Sequence, residues 1–145
     1  MGAIRTIVEG KDTAIHAVGP EATVRDAVVE MCRSHVGALL VNEYGAPVGI
    51  LSERDIMTRV LLEQRNPSTT TVAEVMTKEV VFIGPDREAE DAMALMTERC
   101  VRHLPVVERG IVIGIISMGD LVRWASHNQD SEIRMLQEYV GGMYS

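Results

Sequence analysis

The chain carries one pattern twice, and that repetition limits its fold more than any other feature. Setting residues 15–60 against 80–125, at a constant offset of 65, gives 14 identities in 46 positions. Average composition would give ~3. The matches fall where structure is decided: Gly19-Pro20 with Gly84-Pro85, Asp26-Ala27 with Asp91-Ala92, Met31 with Met96, Gly45 with Gly110, and Gly49-Ile50 with Gly114-Ile115. Ser52 and Asp55 match Ser117 and Asp120 in the same register. A copy of this length is smaller than a comfortable independent core. Two copies packed sheet to sheet, as a pseudo-two-fold pair, solve that problem.

Each copy reads as β-α-β-β-α, which makes the fold class α/β of the α+β type. In the first, 15–18 is a short strand ended by Gly19-Pro20, and Thr23 caps a helix running to about Ser34, with Gly37 as its stop. A strand over 38–41, a hairpin turn at Asn42-Glu43-Tyr44-Gly45 and a return strand over 47–51 follow. Ser52 then opens a helix with Ile56, Met57, Val60 and Leu61 as its inner face. Adding 65 replays the series, with strands over 80–83, 103–107 and 111–116 and helices over 88–99 and 117–125. The divisions are an N-terminal arm over 1–14, a first repeat over 15–63, a polar linker over 64–75, a second repeat over 76–126 and a tail over 127–145. The tail reads as an amphipathic helix with Ile133, Met135, Leu136, Tyr139 and Val140 on its apolar stripe, ended by Gly141-Gly142.

The chemistry of the repeat lies in its last strand. An apolar run ends in Ser-x-x-Asp, and a helix begins. That arrangement suits an anionic, hydroxyl-rich ligand, because the first N–H groups and the positive end of the helix dipole attract phosphate. A carboxylate accepts hydrogen bonds from a ribose diol. The plainer reading is a helix capping box, in which Ser and Asp only satisfy backbone donors.

Composition narrows the partners. A formal charge of −7 and 3% aromatic residues disfavour a nucleic-acid binder, which needs basic patches and stacking platforms. No apolar run approaches the ~20 residues of a membrane span. Two cysteines, Cys32 and Cys100, are too few for a disulfide framework and suit a reducing cytoplasm. Cys32-x-x-His35 and Cys100-x-x-His103 have zinc-like spacing but lie out of register with the repeat, so no metal is expected. No nucleophile motif, Walker loop or dinucleotide fingerprint occurs, and the chain reads as non-enzymatic.

In combination, these motifs resemble a tandem pair of cystathionine β-synthase (CBS) domains. The resemblance rests on Gly-Ile-Leu/Ile-Ser-x-x-Asp twice, on Gly-Ala-Leu-Leu-Val and Arg-His-Leu-Pro-Val-Val ahead of it, and on Val75-Met76-Thr77 before the second copy. It covers about residues 15–125, and Gly119-Asp120-Leu121-Val122 with the amphipathic tail resembles small free-standing bacterial and archaeal members. It implies a regulatory module whose clefts between the repeats bind adenosine-containing ligands: AMP, ADP, ATP, NAD(H) or S-adenosylmethionine. By that likeness Asp55 and Asp120 hold ribose hydroxyls, while Ser52 and Ser117 sit at the phosphate end with Arg54, Met118 and Gly119 beside them. Arg102 and His103 place basic groups near phosphate, where the first copy has only Gly37 and Ala38. Lys78 and Val80, with Ile15 and His16 as counterparts, border adenine. The two sites are therefore expected to be unequal. The resemblance also implies a homodimer through the closing helices, where Met118, Arg123 and Trp124 lie, and an unidentified regulated protein. The alternatives are a structural or protein-interaction module with vestigial clefts and, third, an enzyme acting on a nucleotide.

Overall fold

The computed structural model describes residues 2–11, 15–127 and 137–141. The chain forms two compact units, one made of Ile15–Val80 and the other of Met1–Ala14 together with Val81–Ser145.

In the Ile15–Val80 unit, β1 (Ala17–Val18) runs parallel to β2 (Ala38–Glu43), which pairs antiparallel with β3 (Ala46–Ser52). The β2–β3 turn places Tyr44 at φ 51° and Gly45 at φ 80°, the left-handed pair that a two-residue hairpin with right-handed twist requires. Helix α2 (Val24–Ser34) starts as expected, the Thr23 hydroxyl accepting from the Asp26 N–H. It ends at Ser34, as expected, but on a different stop: His35, not Gly37, takes the left-handed position at φ 56°, and its N–H reaches back to the Met31 carbonyl. Val24, Ala27 and Met31 on this helix pack with Leu39, Val41 and Leu51 from the sheet.

The polar stretch after the first repeat is ordered against that repeat. Thr70 is buried, the Val24 N–H donates to its carbonyl at 2.9 Å, and the Val72 N–H donates to Ala22 at 2.8 Å. The short helix α4 (Val72–Val75) then buries Val72 and Val75 in the same core. Met76 and Thr77 continue along the free edge of β3, where Ile50 and Thr77 exchange both backbone hydrogen bonds, at 3.0 and 2.9 Å. Gly49 permits this approach, because a Cβ there would lie 2.6 Å from the Met76 sulfur and 2.9 Å from the Thr77 carbonyl oxygen.

The closing helix of this repeat departs from expectation. Only α3 (Glu53–Ile56) is α-helical, and Met57–Leu61 form a π-helical turn with the Leu62 N–H on the Met57 carbonyl. The widened turn keeps Ile56 and Val60 on the core. It leaves Met57 and Leu61, expected inside, 58% and 63% exposed.

The second unit replays the scheme. Helix α5 (Ala89–Arg99) ends with Cys100 at φ 56°, and β4 (His103–Glu108) turns through Arg109 and Gly110 into β5 (Ile111–Ser117). Both hairpins carry a register shift at the same place, after Val41 and after Val106. The strand expected over 80–83 is reduced to a single parallel bridge, Ile83 to Val106. Helix α6 (Met118–Ser126) closes the repeat.

The core of this unit is completed by the N-terminal arm. Helix α1 (Ala3–Glu9) inserts Ile4 and Ile7 among Ala92, Met96, Leu104 and Leu121. Arg5 pairs with Asp86 and Glu108, and Val8 fills the space above Gly114, where a Cβ would come within 2.9 Å of it. Of the tail, 137–141 is helical, and Tyr139 packs on this core. The rest of the expected tail helix lies outside the described residues, and among them no helix is long and apolar enough to cross a membrane.

Candidate functional site

Each repeat ends in the same Ser–Asp corner. At the first, Ser52 caps α3 and its hydroxyl accepts from the Asp55 N–H at 3.3 Å, while Asp55 Oδ2 accepts from the Ser52 N–H at 3.0 Å. At the second, Ser117 caps α6 with the equivalent pair at 3.2 and 2.8 Å. Both are complete capping boxes. The register of the hairpins sets Ala38 opposite Ser52 and His103 opposite Ser117. The residue before each strand then holds the helix start. The Glu53 N–H donates to Gly37, and the Met118 N–H donates to Arg102, each at 3.0 Å. Gly37, Ala38, Ser52, Arg54 and Asp55 thus form one corner, and Arg102, His103, Ser117, Met118, Gly119 and Asp120 the other. Gly119 is exposed, and its N–H has no acceptor among the described residues.

The corners differ in what the neighbouring segment delivers. Asp55 is 7% exposed, and its Oδ1 accepts from the Thr77 hydroxyl at 3.0 Å. Arg59 comes no closer than 3.8 Å, since its guanidinium donates at 3.0 Å to the carbonyls of Val75 and Met76. Asp120 is 5% exposed and meets two cations. Lys11 Nζ donates to Oδ2 at 2.7 Å and to the Ile115 carbonyl at 2.6 Å, and Arg123 donates to Oδ1. Burial pushes the Asp120 carboxyl up, but Lys11, the Ser117 N–H and Arg123 together outweigh it and hold it below the ordinary aspartate range.

Lys78 and Val80 lie in the Ile15–Val80 unit, just past the Thr77 that holds Asp55. Lys78 is exposed and Val80 half-buried. Ile15 and His16, also half-buried, precede β1. There the His16 carbonyl accepts from Leu40 at 3.1 Å, and its ring lies 3.9 Å from Glu30. Met118 and Trp124 pack partly on their own core, and Arg123 is spent on Asp120. Sequence reading missed Thr77 as a partner of Asp55, and missed Lys11 altogether. No local pattern marks either one, because each comes from a segment outside the repeat it serves. A separate shallow groove of about 500 Å³ runs beside α5, lined by Phe82, Leu95, Arg87 and Asp91 among others. None of the candidate ligand-binding residues lies on it.

Among the described residues no cluster of three potential ligands suits a metal ion. The CBS domain family model matches residues 11–62 and 72–127. The chain is 37% identical over 127 residues to the mitochondrial CBS domain-containing protein CBSX3 of Arabidopsis thaliana, covering 84% of this chain and 62% of that one. It therefore spans less than two thirds of that relative's length. The CBS domain-containing protein YhcV of Bacillus subtilis is 38% identical over 109 residues, covering 75% of this chain and 77% of its own. A solved protein with CBS domains from Burkholderia ambifaria MC40-6 superposes with a TM-score of 0.83 at 38% identity, covering 87% of this chain and 95% of that one.

Proposed function

The chain belongs to the CBS-domain family, and we propose that it is a non-enzymatic regulatory module whose two Ser–Asp corners bind adenosine-containing ligands. The candidates are AMP, ADP, ATP, NAD(H) and S-adenosylmethionine. One observation carries the reading: the chain builds the same corner twice, each with a nearly buried aspartate at a helix start. Each aspartate also holds a side chain from the segment leading into the other repeat's first strand, Thr77 before the second and Lys11 before the first. A ribose diol that takes up the carboxylate alters the grip on that segment. Ligand affinity that differs between two states of such a grip shifts their populations, and the change is read by a partner protein, with the module working as a homodimer in the cytoplasm.

The second reading is an interaction module with vestigial sites. The engagement of both carboxylates by the protein's own donors favours it. The test is thermal stability against AMP, ADP, ATP, NAD, NADH and S-adenosylmethionine at equal millimolar concentration. A ligand at 100 times its Kd adds about 2.7 kcal/mol, a rise of several degrees for a chain of this size. Asp55→Asn and Asp120→Asn, which keep a carbonyl oxygen for the cap, identify the corner responsible. No shift with any ligand favours the interaction module.

A further inference from the structure

We propose that Lys11 makes the Asp120 corner selective for phosphate-bearing over neutral adenosine ligands, and that the Asp55 corner lacks this selectivity. The inference rests on the proposed function above and concerns which class of ligand each corner takes.

The charge balance distinguishes the two sites. At Asp120 two cations face one carboxylate, and the inner one, Lys11, is hydrogen-bonded to it. Exposed Arg102 and half-buried His103 stand at the start of β4, next to Ser117. At Asp55 neutral groups, Thr77 and Ser52, donate the hydrogen bonds. Arg54 belongs to this corner, but Arg59 stands 3.8 Å off with its donors on the Val75 and Met76 carbonyls, and Gly37 and Ala38 occupy the positions of Arg102 and His103.

Lys11 stays when a diol arrives, whereas Arg123 leaves. A carboxylate offers about four lone-pair sites. Oδ2 is filled by Ser117 and Lys11, and Oδ1 takes Arg123. The Arg123 side chain is 68% exposed, and an ion pair of that kind is worth about 0–1 kcal/mol. Lys11 is held twice, by Asp120 and by the Ile115 carbonyl. It follows directly on α1, which is fixed by buried Ile4 and Ile7 and by Arg5. A diol entering at Oδ1 therefore displaces Arg123 and leaves an ammonium beside it. The third N–H of that ammonium has no acceptor among the described residues and is open to a phosphate oxygen.

The test is calorimetric titration of adenosine, AMP and ATP into full-length protein, unaltered and as Lys11→Met and Lys11→Arg. Repeating it in an Asp55→Asn background isolates the second corner. Loss of one charge-assisted hydrogen bond weakens ATP and AMP roughly tenfold or more in Lys11→Met. Adenosine is expected to stay within about threefold, and Lys11→Arg to recover most of the loss. Because the readout is a ratio between ligands, a partly unfolded variant does not mimic it. Equal weakening of adenosine and ATP, or no change in either, overturns the role of Lys11 while leaving adenosine binding intact. Absence of binding by the unaltered protein overturns both.

Discussion

Thr77 donates its hydroxyl to Asp55 at 3.0 Å across 22 positions of sequence. A carboxylate at the end of one repeat is thereby tied to the first residues leading into the next. Removing the hydroxyl in Thr77→Val leaves a nearly buried oxygen without its nearest donor. The expected loss is about 1 kcal/mol, read as a lower urea midpoint with an unchanged m-value. An unaltered midpoint would mean that Arg59 closes the gap.

Gly49→Ala and Gly114→Ala should both destabilise, by roughly 1–3 kcal/mol, with Gly49→Ala the worse. At Gly49 the new methyl meets the Thr77 carbonyl oxygen at 2.9 Å, which is backbone. At Gly114 it meets the Val8 side chain, also at 2.9 Å, and α1 can shift away. Amide hydrogen exchange should therefore show lost protection in α1 for Gly114→Ala and in residues 76–77 for Gly49→Ala.

Acid should expose the grip on Asp120. Its folded carboxyl titrates below the ordinary value of 3.8, so the unfolded chain binds the proton first and stability rises with pH there. The contribution is complete above that value and is lost as pH falls through the folded one. Asp91, held down by the Glu88 N–H and Arg87, and Glu108, held down by Arg5, act in the same direction. Denaturant midpoints measured from pH 5 to pH 2 should fall less steeply in Asp120→Asn than in the unaltered chain. An identical slope would remove Asp120 from this account.

His35→Gly should stabilise the protein by about 1 kcal/mol. His35 ends α2 at φ 56°, a conformation that carries a Cβ penalty which glycine avoids. Thermal unfolding is the check. A fall in midpoint would show that the imidazole makes contacts worth more than the backbone strain.

Much of this was legible from the offset of 65. Local rules decide the hairpin turns at Tyr44-Gly45 and Arg109-Gly110, the caps at Thr23, Ser52 and Ser117, and the helices they open, and all of these can be read along the chain. Pairing between distant segments cannot. Residues 64–71 are polar and read as a linker, yet they carry the carbonyls that anchor α2, because backbone hydrogen bonding leaves no trace in composition. Gly49 and Gly114 stand out as a repeated pair, but what approaches them, Met76-Thr77 in one unit and Val8 in the other, depends on the fold. Met57 and Leu61 completed an apolar stripe of α-helical period, and the π-helical turn at Met57–Leu61 broke it. Lys11 belongs to no motif. Its place beside Asp120 follows from how α1 docks, through Ile4 and Ile7.

The most direct test of the account is equilibrium binding of AMP and ATP to the full-length protein, alongside Asp55→Asn, Asp120→Asn and the double variant. The account predicts two saturable sites of unequal affinity, one lost with each single substitution and both lost in the double. Saturable binding that survives the double substitution would contradict the assignment of the corners. No saturable binding by the unaltered protein would contradict the proposed function itself.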